Sequence, residues 1–102
     1  MAKAMISQPM RGKSVEAINE DRRHAIEVLN DAGYEVVDTY SPTYTKNANH
    51  RNKDVRLLHL AHAIETMSAC DAVFFCKGWE YAEGCLVEHQ AAVSYGIKCL
   101  YE

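Results

Sequence analysis

Asp71-Ala72-Val73-Phe74-Phe75-Cys76 followed by Lys77-Gly78-Trp79-Glu80-Tyr81-Ala82-Glu83-Gly84-Cys85-Leu86-Val87-Glu88-His89 carries the change of period that decides the fold. After Asp71, the five residues Ala72 to Cys76 are an unbroken apolar run, the most strand-like segment of the chain. A glycine-punctuated turn follows, and near Glu83 or Gly84 the apolar spacing becomes helical and continues to about Tyr95. Gly96 ends that helix, and Ile97-Lys98-Cys99-Leu100-Tyr101 reads as another strand. Strand, helix and strand in this order make a β-α-β unit, which requires a parallel pairing.

The same alternation runs back to the amino end. Ala4-Met5-Ile6 reads as a buried first strand. Ser14 is placed to cap a helix whose face carries Val15, Ile18, Ala25, Ile26, Leu29 and Ala32, and Gly33 stops it. Tyr34-Glu35-Val36-Val37-Asp38 is the second strand. A polar stretch over residues 39–53 then covers a site or moves, as loops of that length do. Asp54 or Asn52 caps a further helix striped by Leu57, Leu60, Ala61, Ile64 and Met67. Four strands and three helices over residues 1–102 form one α/β domain with a parallel sheet, and right-handed crossovers place its ligand-binding loops at the carboxyl ends of the strands.

Composition narrows the function classes. Nearly half of the 102 residues are apolar, enough for one packed core. The formal charge of −3 comes from interspersed acids and bases, so no basic stripe awaits a polymeric nucleic acid. The opening residues turn polar too early for a signal peptide, and no apolar run approaches a membrane span. A cytoplasmic protein with no membrane partner is the expectation. Cys70, Cys76, Cys85 and Cys99 show no C-x-x-C spacing and read as reduced packing residues. His59 and His62 lie three apart without the supporting glutamate of a zinc helix, so neither metal nor cofactor is expected.

Two loops carry the candidate chemistry. Ser7-Gln8-Pro9-Met10-Arg11-Gly12-Lys13-Ser14 ends at a helix amino terminus, where free N–H groups and two cationic side chains favour an anion. It approaches the phosphate-loop pattern G-x-x-x-x-G-K-[ST], but Ser7 replaces the opening glycine that a tight phosphate loop requires. The second loop, residues 77–84, delivers Glu88 at the edge of a helix face that carries Cys85, His89, Ala92 and Val93. A carboxylate bordering a core face is costly to desolvate and needs either a partner or an outlet to water. Trp79 and Tyr81 are able to stack on a planar base or to pack as a lid.

These residues resemble the nucleoside 2-deoxyribosyltransferase-like superfamily, and within it a branch of small bacterial and phage proteins. The marks are Ser7-Gln8-Pro9-Met10-Arg11-Gly12, Gly33-Tyr34-Glu35-Val36-Val37, Cys70-Asp71-Ala72-Val73, Gly78-Trp79-Glu80, and Gly84-x-x-x-Glu88 with Ala91-Ala92 behind it. The resemblance implies a flavodoxin-like (Rossmann-like) three-layer sandwich with a four-stranded parallel sheet, assembled as a homodimer or larger homo-oligomer. It also implies cleavage of a nucleoside or nucleotide N-glycosidic bond, or deoxyribosyl transfer, with Glu88 as the nucleophile. Ser7, Gln8, Met10, Arg11, Gly12 and Lys13 would then hold the sugar and any 5′-phosphate. Gly78, Trp79, Glu80, Glu83 and Gly84 would line the rest of the substrate site, with the 40–44 stretch beside the base.

The match departs from the active pattern at two positions. Ala63 stands where active relatives carry an aspartate, and Ala82 where they carry an acidic or hydroxyl residue. A binding module of the same fold, which recognises a nucleotide or small metabolite without cleaving it, is therefore the competing expectation. An interaction protein using its aromatic loops is the third.

Overall fold

A computed structural model describes residues 1–37 and 54–102. Strand β1 (Lys3–Ser7) is buried from Ala4 onward, and the reason is its position. It pairs in parallel with β2 (Glu35–Val36) along one edge and β3 (Ala72–Phe75) along the other, and helices pack on both its faces. Parallel strands covered twice read as continuous apolar runs, which is why Ala4-Met5-Ile6 and residues 72–76 stand out in the sequence. Strand β4 (Lys98–Tyr101) completes an all-parallel sheet of order β2-β1-β3-β4.

Side-chain parity sorts the core into two halves. Ala4, Ile6, Ala72, Phe74 and Cys76 point to one face, where Ala25 and Leu29 of helix α1 (Val15–Asp31) meet them. Met5, Val73 and Phe75 point to the other, against Ala63 and Met67 of α2 (Val55–Met67) and Ala92 of α3 (Glu83–Ser94). The result is the three-layer, flavodoxin-like α/β sandwich that was expected. The strand order reverses between β1 and β3, and in doubly wound sheets ligands bind beside the carboxyl ends at such a point. Among the described residues α1 alone packs on the first face, and Val28, Tyr34, Phe74 and Leu100 line a groove of about 360 Å³ between α1 and β4.

The helices begin and end as their caps dictate. The Ser14 hydroxyl accepts a hydrogen bond from the Ala17 amide, and the chain turns after α1 at Gly33, whose φ of 89° is costly for any residue with a Cβ. Asp54, rather than Asn52, caps α2. Its carboxylate accepts from the Arg56 amide at 2.9 Å and pairs with the Arg56 guanidinium, which holds its pKa down at about 2. Asn52, Asp38 at the end of the expected second strand, and the whole 39–53 loop with Tyr40 and Tyr44 lie outside the described residues.

Three expectations about faces are corrected. Val15 and Ala32 are exposed at the ends of α1, while Arg22, absent from the expected stripe, is only 6 % exposed. On α2 the buried positions are Ala63 and Met67, and Leu57 is 63 % exposed with Ala61 also exposed. On α3, Cys85 and Ala92 are buried as expected, but Val93 is 57 % exposed. Helices α2 and α3 are apolar over much of their circumference, so spacing alone does not select the inward face. Their packing against each other and the sheet does.

Candidate functional site

The row Ser7–Phe75–Tyr101 crosses the carboxyl edge of the sheet in register. By strand alternation it shares the face of Met5 and Val73, so all three side chains stand beneath α3. Phe75 and Tyr101 meet α3 at His89. The Phe75 ring lies edge-on to the imidazole at 5.0 Å, and His89 Nε2 and the Tyr101 hydroxyl are 2.7 Å apart. Trp79 closes this cluster, 4.3 Å from His89 and 5.3 Å from Phe75 between ring centroids. The indole thus packs as a lid over the aromatic cluster, and His89 is a half-buried histidine in contact with Tyr101.

Ser7 meets α3 beside this cluster, at Cys85 and Glu88. Its side chain is 1 % exposed, and its Oγ closes no hydrogen bond of ordinary geometry among the described residues. It nevertheless stands near enough to the Glu88 carboxyl and the Cys85 thiol to favour the anionic form of each. Burial works against those forms and dominates. It pushes Glu88 up to about 7 and Cys85 up to about 11. Cys76 is pushed up to about 12 and the buried Cys70 thiol is also raised, both chiefly by burial, so these three cysteines are inert packing groups.

Glu88 reaches this place by folding back along its own helix. A Cβ on Gly84 would stand 3.9 Å from Glu88 Oε2, so the carboxyl lies over the first turn of α3. That turn is open. Ala82 is the cap residue and offers no side-chain hydrogen bond, which leaves amide N–H groups of the first turn without a capping side chain. The position flagged in the sequence as inert is therefore the one that leaves this terminus uncapped.

The two loops also touch. Cys76 donates its amide to the Ser7 carbonyl at 2.9 Å, and a Cβ on Gly78 would meet Pro9 Cγ at 3.8 Å. Gly78 has φ 91°, and this left-handed turn carries the chain from β3 into the short 3-10 turn Trp79–Tyr81 and then α3.

The structure separates the remaining sequence candidates. Ser7, Gly84 and Glu88 come together. Gln8 turns to the opposite face, donating through Nε2 to the Ile18 carbonyl at 2.6 Å and accepting from buried Arg22 through Oε1 at 3.4 Å, so it ties the loop to α1. Lys13 pairs with Asp21 at 2.7 Å, and Ser14 is occupied as the α1 cap. Met10, Arg11 and Gly12 are exposed on the first loop, with Gly12 at φ 78°; Glu80 and Glu83 are exposed on the second. Ala63 is a core residue under α2. Arg22 was missed in the sequence, although its spacing between Ile18, Ala25 and Leu29 puts it in the middle of the buried stripe. Among the described residues no group of three His, Cys, Asp or Glu side chains is placed to hold a metal ion, and no helix is long and apolar enough to cross a membrane.

Fold and site together define an α/β protein of the doubly wound class, with a raised-pKa carboxyl at the switch point of its sheet. The chain belongs to DUF4406, a family described as a domain of unknown function, whose model matches residues 2–101. No curated protein and no solved structure matches it.

Proposed function

We propose that the chain is a nucleoside 2-deoxyribosyltransferase-like protein that cleaves a nucleoside or nucleotide N-glycosidic bond, or transfers the sugar, through Glu88. The observation that carries the proposal is the Glu88 carboxyl, half-buried beside Ser7 at the topological switch point and folded over the uncapped first turn of α3. Carboxyl groups with such shifts concentrate at functional sites. In the reaction the Glu88 carboxylate attacks the anomeric carbon and the carbon–nitrogen bond breaks. Its electron pair leaves with the base, which takes up a proton. Water then cleaves the glycosyl ester, or a second base takes the sugar. Arg11 is exposed on the loop that touches the turn before α3, and its charge suits an anionic substituent, as does the first turn of α3, which Ala82 caps with no side-chain hydrogen bond.

The partners in this reading are a small nucleoside or nucleotide and a second copy of the chain, with no cofactor, in the cytoplasm. Leu86, Val87 and Val93 leave an apolar surface on α3 beside the site, which is consistent with a homodimer.

A second reading has its own support. Ala63 is a core residue and Ala82 carries no polar group, so neither supplies an acid partner for Glu88. A non-catalytic module that binds a nucleotide or small metabolite needs none.

One panel separates the two. Purified protein and Glu88→Gln are incubated with ribo- and deoxyribonucleosides and their monophosphates, and free base is measured by chromatography. Base release lost in Glu88→Gln supports the enzyme. No base release, together with a saturable thermal shift that disappears in Arg11→Ala, supports the binding module.

A further inference from the structure

We propose that Ser7 is the positioning residue for Glu88: its buried hydroxyl, at the end of β1 and beneath the first turns of α3, donates to the carboxylate and fixes its orientation. Three observations carry this. Ser7 shares its row with Phe75 and Tyr101, whose rings lie against His89 of α3, so strand parity aims its side chain at the underside of that helix. Its Oγ is buried and closes no hydrogen bond of ordinary geometry among the described residues. The Glu88 carboxyl is drawn back over Gly84, onto the same end of the helix.

A buried hydroxyl left without a partner destabilises the fold, and an alanine in its place would cost nothing of the kind. A donor waiting under a carboxyl group is accounted for by the ionised state of that group. When Glu88 loses its proton the hydroxyl turns to it, and the resulting charge-assisted bond is stronger than one to a neutral partner. The neighbouring Cys85 thiol, held protonated by burial, competes weakly for the same hydroxyl. Lowering of the Glu88 pKa by Ser7, against the larger effect of burial, agrees with this geometry. The inference rests on the proposed function only for its kinetic consequence. The hydrogen bond itself is tested without substrate.

The full chain is labelled with 13C at glutamate carboxyls and titrated by NMR, with the Glu88 signal assigned from Glu88→Gln. Ser7→Ala is expected to raise the Glu88 midpoint by about one pH unit or more. Ser7→Cys, nearly the same size but a poor donor, is expected to raise it by a smaller amount, and it serves alone if Ser7→Ala fails to fold. A midpoint unchanged in the folded variants overturns the proposal. Thermal denaturation supplies a second readout that a packing role would not produce. The loss of Tm in Ser7→Ala is expected to be larger at pH 8.5, where Glu88 is ionised, than at pH 5. An equal loss at both pH values also overturns it. If the midpoint moves while no base is released from any nucleoside, Ser7 keeps its role and the enzymatic reading fails.

Discussion

Oε2 of Glu88 lies 3.9 Å from the point where a side chain on Gly84 would begin. That distance is ordinary van der Waals contact, so a methyl group fits beside the carboxyl. In the proposed reaction it would crowd the carboxylate oxygen that attacks the sugar carbon.

Gly84→Ala is therefore expected to separate stability from activity. Gly84 lies in the first turn of α3 with no positive φ, and alanine in a helix is favoured over glycine by up to about 1 kcal/mol. Thermal denaturation should show Tm raised by a few degrees, while base release or ligand-induced stabilisation falls at least tenfold. Unchanged activity would show that the ligand does not approach Glu88 over this turn.

The raised pKa of Glu88 makes stability depend on pH with a definite sign. Its folded value of about 7 exceeds the ordinary 4.5, so between these limits the folded state binds more protons than the unfolded. The protonated carboxyl's stabilising contribution is complete below about 4.5 and is lost as pH rises through about 7, an effect of order 3 kcal/mol at most. Urea unfolding of wild type and Glu88→Gln from pH 4.5 to 8.5 should show the wild type losing stability relative to the variant across this window. A constant difference would place Glu88 in water.

Trp79 is the single tryptophan of the chain and lies 4.3 Å from His89, which makes it a reporter of the aromatic cluster. Indole emission follows the surroundings of the ring, so it should shift in His89→Gln, and an unchanged spectrum would show that Trp79 does not pack on His89. Tyr101→Phe breaks the 2.7 Å contact to His89 Nε2 and should cost about 1 kcal/mol of stability, with the emission changed.

The exposed face of α3 tests the assembly. Leu86 and Val93 lie seven residues apart on one side of the helix and both are exposed. Wild type is expected to sediment as a homodimer, and the Leu86→Lys, Val93→Glu double variant as a folded monomer. A monomeric wild type would remove the second copy from the proposed function.

Much of the frame was legible because burial on both faces leaves a plain mark. A central parallel strand has no polar side, and Ala4-Met5-Ile6 and residues 72–76 show it. The caps were legible too, since Ser14 and the end of α1 at Gly33 act through local geometry. Glu88 was singled out by the resemblance that Gly84-x-x-x-Glu88 carries, and the structure gives that motif a physical meaning, because residues four apart lie one above the other on a helix.

The helix faces were less legible. Leu57 and Ala61 belong to as good a stripe as Ala63 and Met67, and α3 carries apolar residues on every side, so no periodicity chooses among them. The roles of polar residues were harder still. Gln8 and Ser7 are adjacent in one loop and looked alike as substrate contacts. Alternation at the end of β1 sends Gln8 under α1 and Ser7 under α3, where one ties a loop and the other faces a carboxyl.

The sequence by itself determined the order of elements and the parallel sheet, because those follow from local period, capping and turn chemistry; Glu88 was marked only by the resemblance of Gly84-x-x-x-Glu88. The tertiary structure decided which helix faces turn inward, that Trp79 and His89 belong to a packed aromatic cluster, and that Ser7 and Glu88 meet. Residues 81 positions apart come into proximity only when β1 and α3 are docked. The burial that raises the Glu88 pKa exists only in the folded chain.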